Sequence, residues 1–295
     1  MCLLKILYMK KEIIITFDLE EWFHLCLDDD NPDSWVSYEN RFEENMNFIL
    51  ESLDHHDTKA TFLVLGWIAK KYPKIIRMLH DEGHDIGSHS DSHQLIFNQS
   101  KKEFEQDLIT SIKSLEDIIG DKVCIYRAPA FSINNETKWA LETIAANGIK
   151  YDLSLFQGNH SLGGIRTEFI DEPFFIETPS GKLLEYPISI TNLLGISFAS
   201  CGGGYFRLLP FFLISRLLQT RSYNMTYFHP RDFDNEQPRI NMPFLRYFKT
   251  YVGLSKSRRK LDKLLSTFHP LSLSEDITRR DFTDSRIIDL GTLGK

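Results

Sequence analysis

The chain has 295 residues, 42% hydrophobic and 25% charged, enough to build a sizeable core in one large domain or one domain with an elaborated end. Its net charge of -7 and isoelectric point near 5.8 argue against a sequence-independent grip on nucleic acid, which needs a basic face. Cys2, Cys26, Cys124 and Cys201 are far apart with no CxxC pair, a distribution that suits buried thiols in a reducing compartment better than a disulfide framework.

The first twenty residues hold a short apolar stretch with neither a basic region ahead of it nor a small-residue cleavage site behind it, so no signal peptide is expected. Nor does any window match the apolar length of a membrane span, although 206–218 is rich enough in Leu and Phe to be a buried helix. Cytoplasmic is the default expectation.

From residue 12 onward, apolar β-rich runs alternate with helical patterns, the signature of an α/β fold with a mostly parallel sheet. Residues 12–17 are too continuously apolar to have a solvated face, and Phe42, Met46, Ile49 and Leu53 then recur at helical spacing. A second strand is predicted over 60–65, and Pro73 opens a helix that Gly83 ends before the short run 84–87. Ser100 and Glu103 have capping-box spacing ahead of a helix with Phe104, Leu108, Ile112, Leu115 and Ile119 on one face, stopped at Gly120. Strands are predicted over 123–126 and 149–153, separated by a helix over 134–147. The pattern loosens over 158–181, and later strands are predicted over 183–188 and 224–228. Such an alternation closes naturally into a barrel, where reactive groups gather at the C-terminal ends of the strands.

The polar signals fall at those ends. Asp18 and Glu20 are spaced i, i+2, so on an extended segment both carboxylates face one way and Glu21 the other; one would bind metal and the other could deprotonate water. His89 and His93 are spaced so that a helical turn or tight loop lets two imidazoles share one ion, and Ser90 between them could hold the loop in place. Arg127, in Arg127-Ala128-Pro129, could clamp a carboxylate. Asp152 and Ser154 repeat the i, i+2 spacing, with Asp152 placed to orient a neighbouring His or Arg. His229 ends the apolar run 225–228, where an imidazole is suited to protonate a leaving amine. Each signal has a plainer reading: a solvated strand end for the carboxylates, a surface ion pair for Arg127, a satisfied buried ring for the histidines.

Taken in order, the five motifs resemble those of the polysaccharide deacetylase family, the NodB homology or carbohydrate esterase family 4 group. Thr16-Phe17-Asp18-Leu19-Glu20 is similar to its first motif, His89-Ser90-Asp91-Ser92-His93 to its second, Arg127-Ala128-Pro129 to its third, Asp152-Leu153-Ser154 to its fourth, and His229 to its fifth. The resemblance implies a distorted (β/α) barrel of about seven units over 10–235 with a helical C-terminal extension over 236–295. It also implies metal-dependent removal of N-acetyl groups from a polysaccharide or oligosaccharide. Asp18 would be the general base, Glu20, His89 and His93 the metal ligands, Arg127 the partner of Asp18, and His229 the acid, tuned by Asp152. The metal would be zinc, with cobalt or nickel as alternatives. A backbone N–H near Ala130 or Phe131 would hold the oxyanion, and Phe156 is the candidate for the acetyl pocket. The first motif departs from the usual adjacent pair of Asp residues, since its second acid is Glu20, one residue further on.

Segments 18–24, including Trp22, 202–207 and 229–234 look like the branch found in capsule and exopolysaccharide loci, whose substrate could be lipid-linked. Hydrolysis of small cyclic amides or imides on the same fold, or sugar binding without catalysis, would be the alternatives. Trp22, Trp35, Trp67 and Tyr205 permit sugar stacking, but core packing is the first expectation for Trp67 and Trp139.

Overall fold

The structure is a computed structural model that describes residues 10–26, 31–157, 163–165, 170–193, 196–199 and 201–294. The first nine residues, on which the reading of the leader partly rests, and Cys2 lie outside these. So does Gly158, and the Cys26 side chain is likewise not described.

The first described elements are β1 (Glu12–Ile14) and β2 (Thr16–Leu19), one extended segment interrupted at Ile15. Two short helices follow, α1 (Trp22–Cys26) and α2 (Pro32–Trp35), then α3 (Phe42–His55). Next come β3 (Thr61–Val64), α4 (Gly66–Lys71), α5 (Pro73–Asp81) and β4 (Asp85–Ser88). The long helix α6 (Lys101–Ile119) has the expected Ser100–Glu103 capping box and a left-handed Gly120 at its end. It leads to β5 (Ile125–Tyr126), α7 (Trp139–Ala146) and β6 (Tyr151–Asp152). Helix α7 begins later than residue 134 because the Asn134 side chain accepts the backbone N–H groups of Glu136 and Thr137 and forms a turn instead.

Strands β2, β3, β4, β5 and β6 pair in parallel, in that order, and β6 pairs in parallel with β8 (Gly181–Glu185). β7 (Phe174–Thr178) forms an antiparallel hairpin with β8. On the other side of β2 runs segment 224–228, with parallel bridges Ile14 to Met225 and Phe17 to Phe228. Its ladder is irregular because the Thr16 N–H donates to the Thr226 hydroxyl at 2.9 Å rather than to a carbonyl. The ring closes where Met225 N–H donates to the Ser189 hydroxyl at 2.9 Å. Counting 224–228 with β2, β3, β4, β5, β6 and β8 gives a distorted barrel of seven parallel strands. Its interior holds Ile14, Leu63, Ile125, Leu184 and Met225, packed so closely that a Cβ on Gly87 would lie 2.8 Å from Leu63 and 2.9 Å from Ile125. The opposite faces of the early strands, with Phe17, Phe62, Val64 and Ile86, bury against the helices.

Between the hairpin and the last barrel strand lie β9 (Thr191–Leu193), β10 (Ile196–Phe198), α8 (Gly203–Leu208) and α9 (Phe211–Gln219). The single buried helix expected over 206–218 is therefore two. Pro210 cannot donate to a helical ladder and holds Leu209 extended, and Phe212 is 69% exposed. The C-terminal stretch carries α10 (Phe244–Tyr251), α11 (Leu254–Thr267) and α12 (Leu273–Arg279), but it is not wholly helical. β11 (His269–Leu271) lies beside β1 and β12 (Ile287–Asp289) beside β7, both in parallel, so the extension is stitched to both sides of the barrel.

Candidate active site

Six barrel strands deliver polar groups to one end. Asp18 is in β2 and Glu20 just beyond it; His89, Arg127 and His229 each follow the last residue of a strand, and Asp152 and Glu185 are the last residues of β6 and β8. Glu20 is the centre of the first cluster. His89 Nε2 lies 2.8 Å and His93 Nε2 3.0 Å from the same oxygen, Glu20 Oε1. The other oxygen, Glu20 Oε2, is buried without a partner. His89 Nδ1 donates to the Arg127 carbonyl at 2.8 Å, so in the neutral ring Nε2 carries a lone pair that faces a carboxylate oxygen. Two lone pairs at that distance need a cation between or beside them. These three residues, with donor atoms within 4.8 Å of one another, could hold a metal ion. The pocket draws positive charge in its own right. Burial would raise Glu20, but the charge and hydrogen bond of His93 hold it well below the usual carboxylate range; burial opposes charge on His93, and Glu20 raises it.

The histidines reach this point from a strained loop rather than a helix. Ser90 and His93 have positive φ, 68° and 56°. Ser90 Oγ accepts the His93 N–H at 3.0 Å, and Asp107 of α6 accepts the N–H groups of Asp91 and Ser92 at 2.9 and 3.0 Å, so the loop is fixed by its own side chains and by a helix.

Asp18 and His229 form the second cluster. Arg127, fully buried, donates from Nη1 to Asp18 Oδ1 at 2.6 Å and to Thr16 Oγ1 at 2.9 Å. Asp18 Oδ2 faces His229 Nε2 at 3.9 Å. His229 Nδ1 is held by Asp232 Oδ2 at 3.1 Å, and Arg207 Nε sits 3.0 Å from Asp232 Oδ1. Burial works against a charged His229, but the bond to Asp232 and the charges of Glu20 and Asp18 raise it. Burial likewise works against a charged Asp232, which His229 and Arg207 hold low.

The role expected of Asp152 as the tuner of His229 is corrected here: Asp232 occupies that place. Asp152 accepts from the Ser154 hydroxyl at 2.6 Å and stands opposite Glu185 in the pairing of β6 with β8, where Asp152 Oδ2 and Glu185 Oε2 are both buried without a hydrogen-bond partner. Burial raises both carboxyls, and Glu185, beside the Asp152 charge, is pushed well above the usual range, which favours a proton on Glu185. Glu21 turns away from the site as its spacing implies, and accepts the N–H groups of Arg41 and Phe42 at the start of α3. Trp22 is not at the site: it is buried, its indole N–H donates to the Glu39 carbonyl at 2.8 Å, and its ring meets Phe23 and Tyr38. Phe131, Phe156 and Tyr227 make an aromatic wall, with Tyr227 leading to His229 at 6.1 Å between ring centroids. Ala130 and Phe131 both have positive φ, 50° and 52°, at the turn after Pro129.

Residues 9–149 match the family model described as polysaccharide deacetylase, and they contain five of the groups just described: Asp18, Glu20, the two histidines and Arg127. That segment is a polysaccharide deacetylase domain. Residues 153–276, which supply Asp232 and His229, match a domain of unknown function, DUF3473. The chain is 32% identical over 136 residues to a peptidoglycan-N-acetylglucosamine deacetylase of Bacillus cereus, covering 46% of this chain and 42% of the relative. It is 25% identical over 156 residues to a peptidoglycan deacetylase of Helicobacter pylori, 51% of this chain and 52% of the relative. The matches thus span about half the length of these relatives. A solved structure assigned as a polysaccharide deacetylase from Mycobacterium smegmatis shares the fold at a TM-score of 0.61 with 17% identity, covering 92% of this chain and 90% of that one. The two matched segments meet in one barrel: the first supplies Asp18, Glu20, His89, His93 and Arg127, and the second His229 and Asp232.

Asp232 and Arg207 entered the sequence reading only as parts of segments 229–234 and 202–207, and neither they nor Glu185 was given a role. A signal existed for Asp232, since His229-Pro230-Arg231-Asp232 has the spacing of a capping box with Pro in the first turn, and that cap forms.

Proposed function

We propose that this deacetylase removes N-acetyl groups from hexosamine residues of a polysaccharide or oligosaccharide, as a metal-dependent hydrolase. The observation that carries the reading is the convergence of two imidazoles on one buried carboxylate, with an acid–base pair, Asp18 and His229, beside it. Bound by Glu20, His89 and His93, a divalent ion, with zinc the first choice from the two-nitrogen, one-oxygen donor set, would polarise the acetamide carbonyl and lower the pKa of water.

The protein's own groups do the rest. Arg127 fixes one oxygen of Asp18 and leaves the other facing His229, where it can take a proton from the attacking water. His229, with Nδ1 tied to Asp232, has Nε2 free to hand a proton to the departing amine. The Phe131 N–H is committed to the Ala128 carbonyl at 3.1 Å, so Ala130 is the better candidate to donate to the oxyanion. The wall of Phe131, Phe156 and Tyr227 gives the acetyl group and sugar ring an apolar side to lie against.

We place the reaction in cell-surface polysaccharide synthesis, on the cytoplasmic side, with a free or lipid-linked glycan as substrate. The test is acetate release from N-acetylglucosamine oligomers, run beside ring-opening of small imides and coupled to metal analysis. His229→Ala should lose turnover and keep its metal, and His89→Ala should lose both. Full activity in metal-stripped, refolded protein, or turnover of imides alone, would overturn the reading.

A further inference from the structure

Helix α10 reads Phe-Leu-Arg-Tyr-Phe-Lys-Thr-Tyr, and of its large apolar side chains only Tyr251 is buried. Phe244 is 83% exposed, Leu245 63%, Phe248 43% and Tyr247 40%. Leu245 and Phe248 line a cleft of 320 Å³ with Tyr205 and Leu208 of α8, and with Lys249 and Tyr227. Tyr227 is the ring that leads to His229, so the cleft begins at the edge of the active site.

The charge around this helix is the reverse of the molecule's. The whole chain carries -7, yet residues 239–263 hold eight Lys and Arg against one acid, Asp262. Lys260 donates to the carbonyls of Phe206, Arg207 and Leu209, Arg258 to that of Phe233, and Arg239 to that of Asn235. Lys249, Lys256, Arg259 and Lys263 add exposed positive charge to the region.

A helix with exposed aromatic and aliphatic side chains flanked by cations suits the boundary between headgroups and acyl chains, where apolar groups enter hydrocarbon and cations meet phosphate. A second copy of the chain fits less well, because a two-fold contact through this face would set its cations against themselves. We propose that α10 and its cleft dock the protein on a bilayer surface rich in anionic phospholipid, with Phe244, Leu245 and Phe248 entering the acyl boundary. This docking is independent of the chemistry proposed for the site.

The test is co-sedimentation of the full chain with vesicles of phosphatidylcholine alone or with about 30% phosphatidylglycerol. The chain should partition onto the anionic vesicles, less so as salt rises, and weakly onto the neutral ones. Phe244→Ser with Leu245→Ser should lower that partitioning by about tenfold or more. Lys249→Glu, at an exposed position, should weaken binding to the anionic vesicles alone, and it gives a second reading should the double variant not fold. Val36→Ser, which removes an exposed apolar side chain outside α10 and its cleft, should change nothing. Absence of binding to anionic vesicles, or unchanged binding of both α10 variants, overturns the proposal. A concentration-dependent dimer that the double variant disperses would assign the face to self-association instead.

Discussion

His229 and Asp232 are joined twice: the backbone N–H of His229 lies 2.9 Å and its Nδ1 3.1 Å from the same oxygen, Asp232 Oδ2. One carboxylate therefore sets both the position of the ring and its proton affinity. His229 as the acid must be protonated, so turnover should fall as pH rises through its pKa, which Asp232 raises. Asp232→Asn removes that support, and the alkaline limb of the kcat profile should move to lower pH. Turnover at neutral pH should drop by about ten- to a hundredfold while metal content is unchanged. A profile with its alkaline limb in place would show that Asp232 does not tune the acid.

The same contact explains a glycine. A Cβ on Gly203 would stand 2.4 Å from Asp232 Oδ2 and 2.6 Å from Oδ1, whereas one on Gly204 would meet nothing closer than the Lys249 carbonyl at 3.9 Å. Gly203→Ala should push the carboxylate off His229 and lower kcat by about tenfold or more, with the fold retained. Gly204→Ala should leave kcat alone and add about 0.5–1 kcal/mol of stability to α8. Assay and thermal melts of the two variants decide it; equal kcat losses would remove Asp232 as the cause.

Much of the site was legible because its geometry is local. The two-residue repeat of a strand puts Asp18 and Glu20 on one face, and five residues of loop bring His89 and His93 to one oxygen. Arg127 was readable as a carboxylate clamp, although the choice of Asp18 came from family resemblance. The tuner was misassigned because Asp152 and Asp232 have equal claims in one dimension; only the ring of strands shows that β6 turns Asp152 toward Glu185 of β8. Glu185 carried no signal of its own, since an acid at a strand end is ordinarily solvated. The break in the helix expected over 206–218 was readable from Pro210, but the Leu and Phe content around it argued the other way.

Arg127 holds the interior of the site together. Its guanidinium is fully buried, meets Asp18 at 2.6 Å, and donates from Nε to the Leu153 carbonyl at 3.3 Å. Arg127→Met leaves a buried carboxylate without its cation and should cost about 3–5 kcal/mol. Combining it with Asp18→Asn removes the stranded charge and should recover part of the loss. Urea unfolding of the two variants tests this, and a cost below about 1 kcal/mol for the single change would mean that water reaches Asp18 readily.

Asp152 and Glu185 are both fully buried, and burial pushes both carboxyls toward the protonated form, Glu185 the further. Glu185 is raised above its unfolded value, so the native state keeps a proton that the unfolded chain has already lost. Its contribution to stability is fully present below the unfolded pKa, near 4.5, and is lost as pH rises toward the folded one. Within that window the loss approaches about 1.4 kcal/mol for each pH unit. Glu185→Gln keeps a donor for Asp152 without a titrating proton, and should flatten the pH dependence. Urea midpoints measured from about pH 5 to pH 9 should fall for the parent and stay level for the variant, which becomes the more stable protein at the alkaline end. Parallel curves would show that Glu185 is ionised in the fold and that Arg127 neutralises both carboxylates.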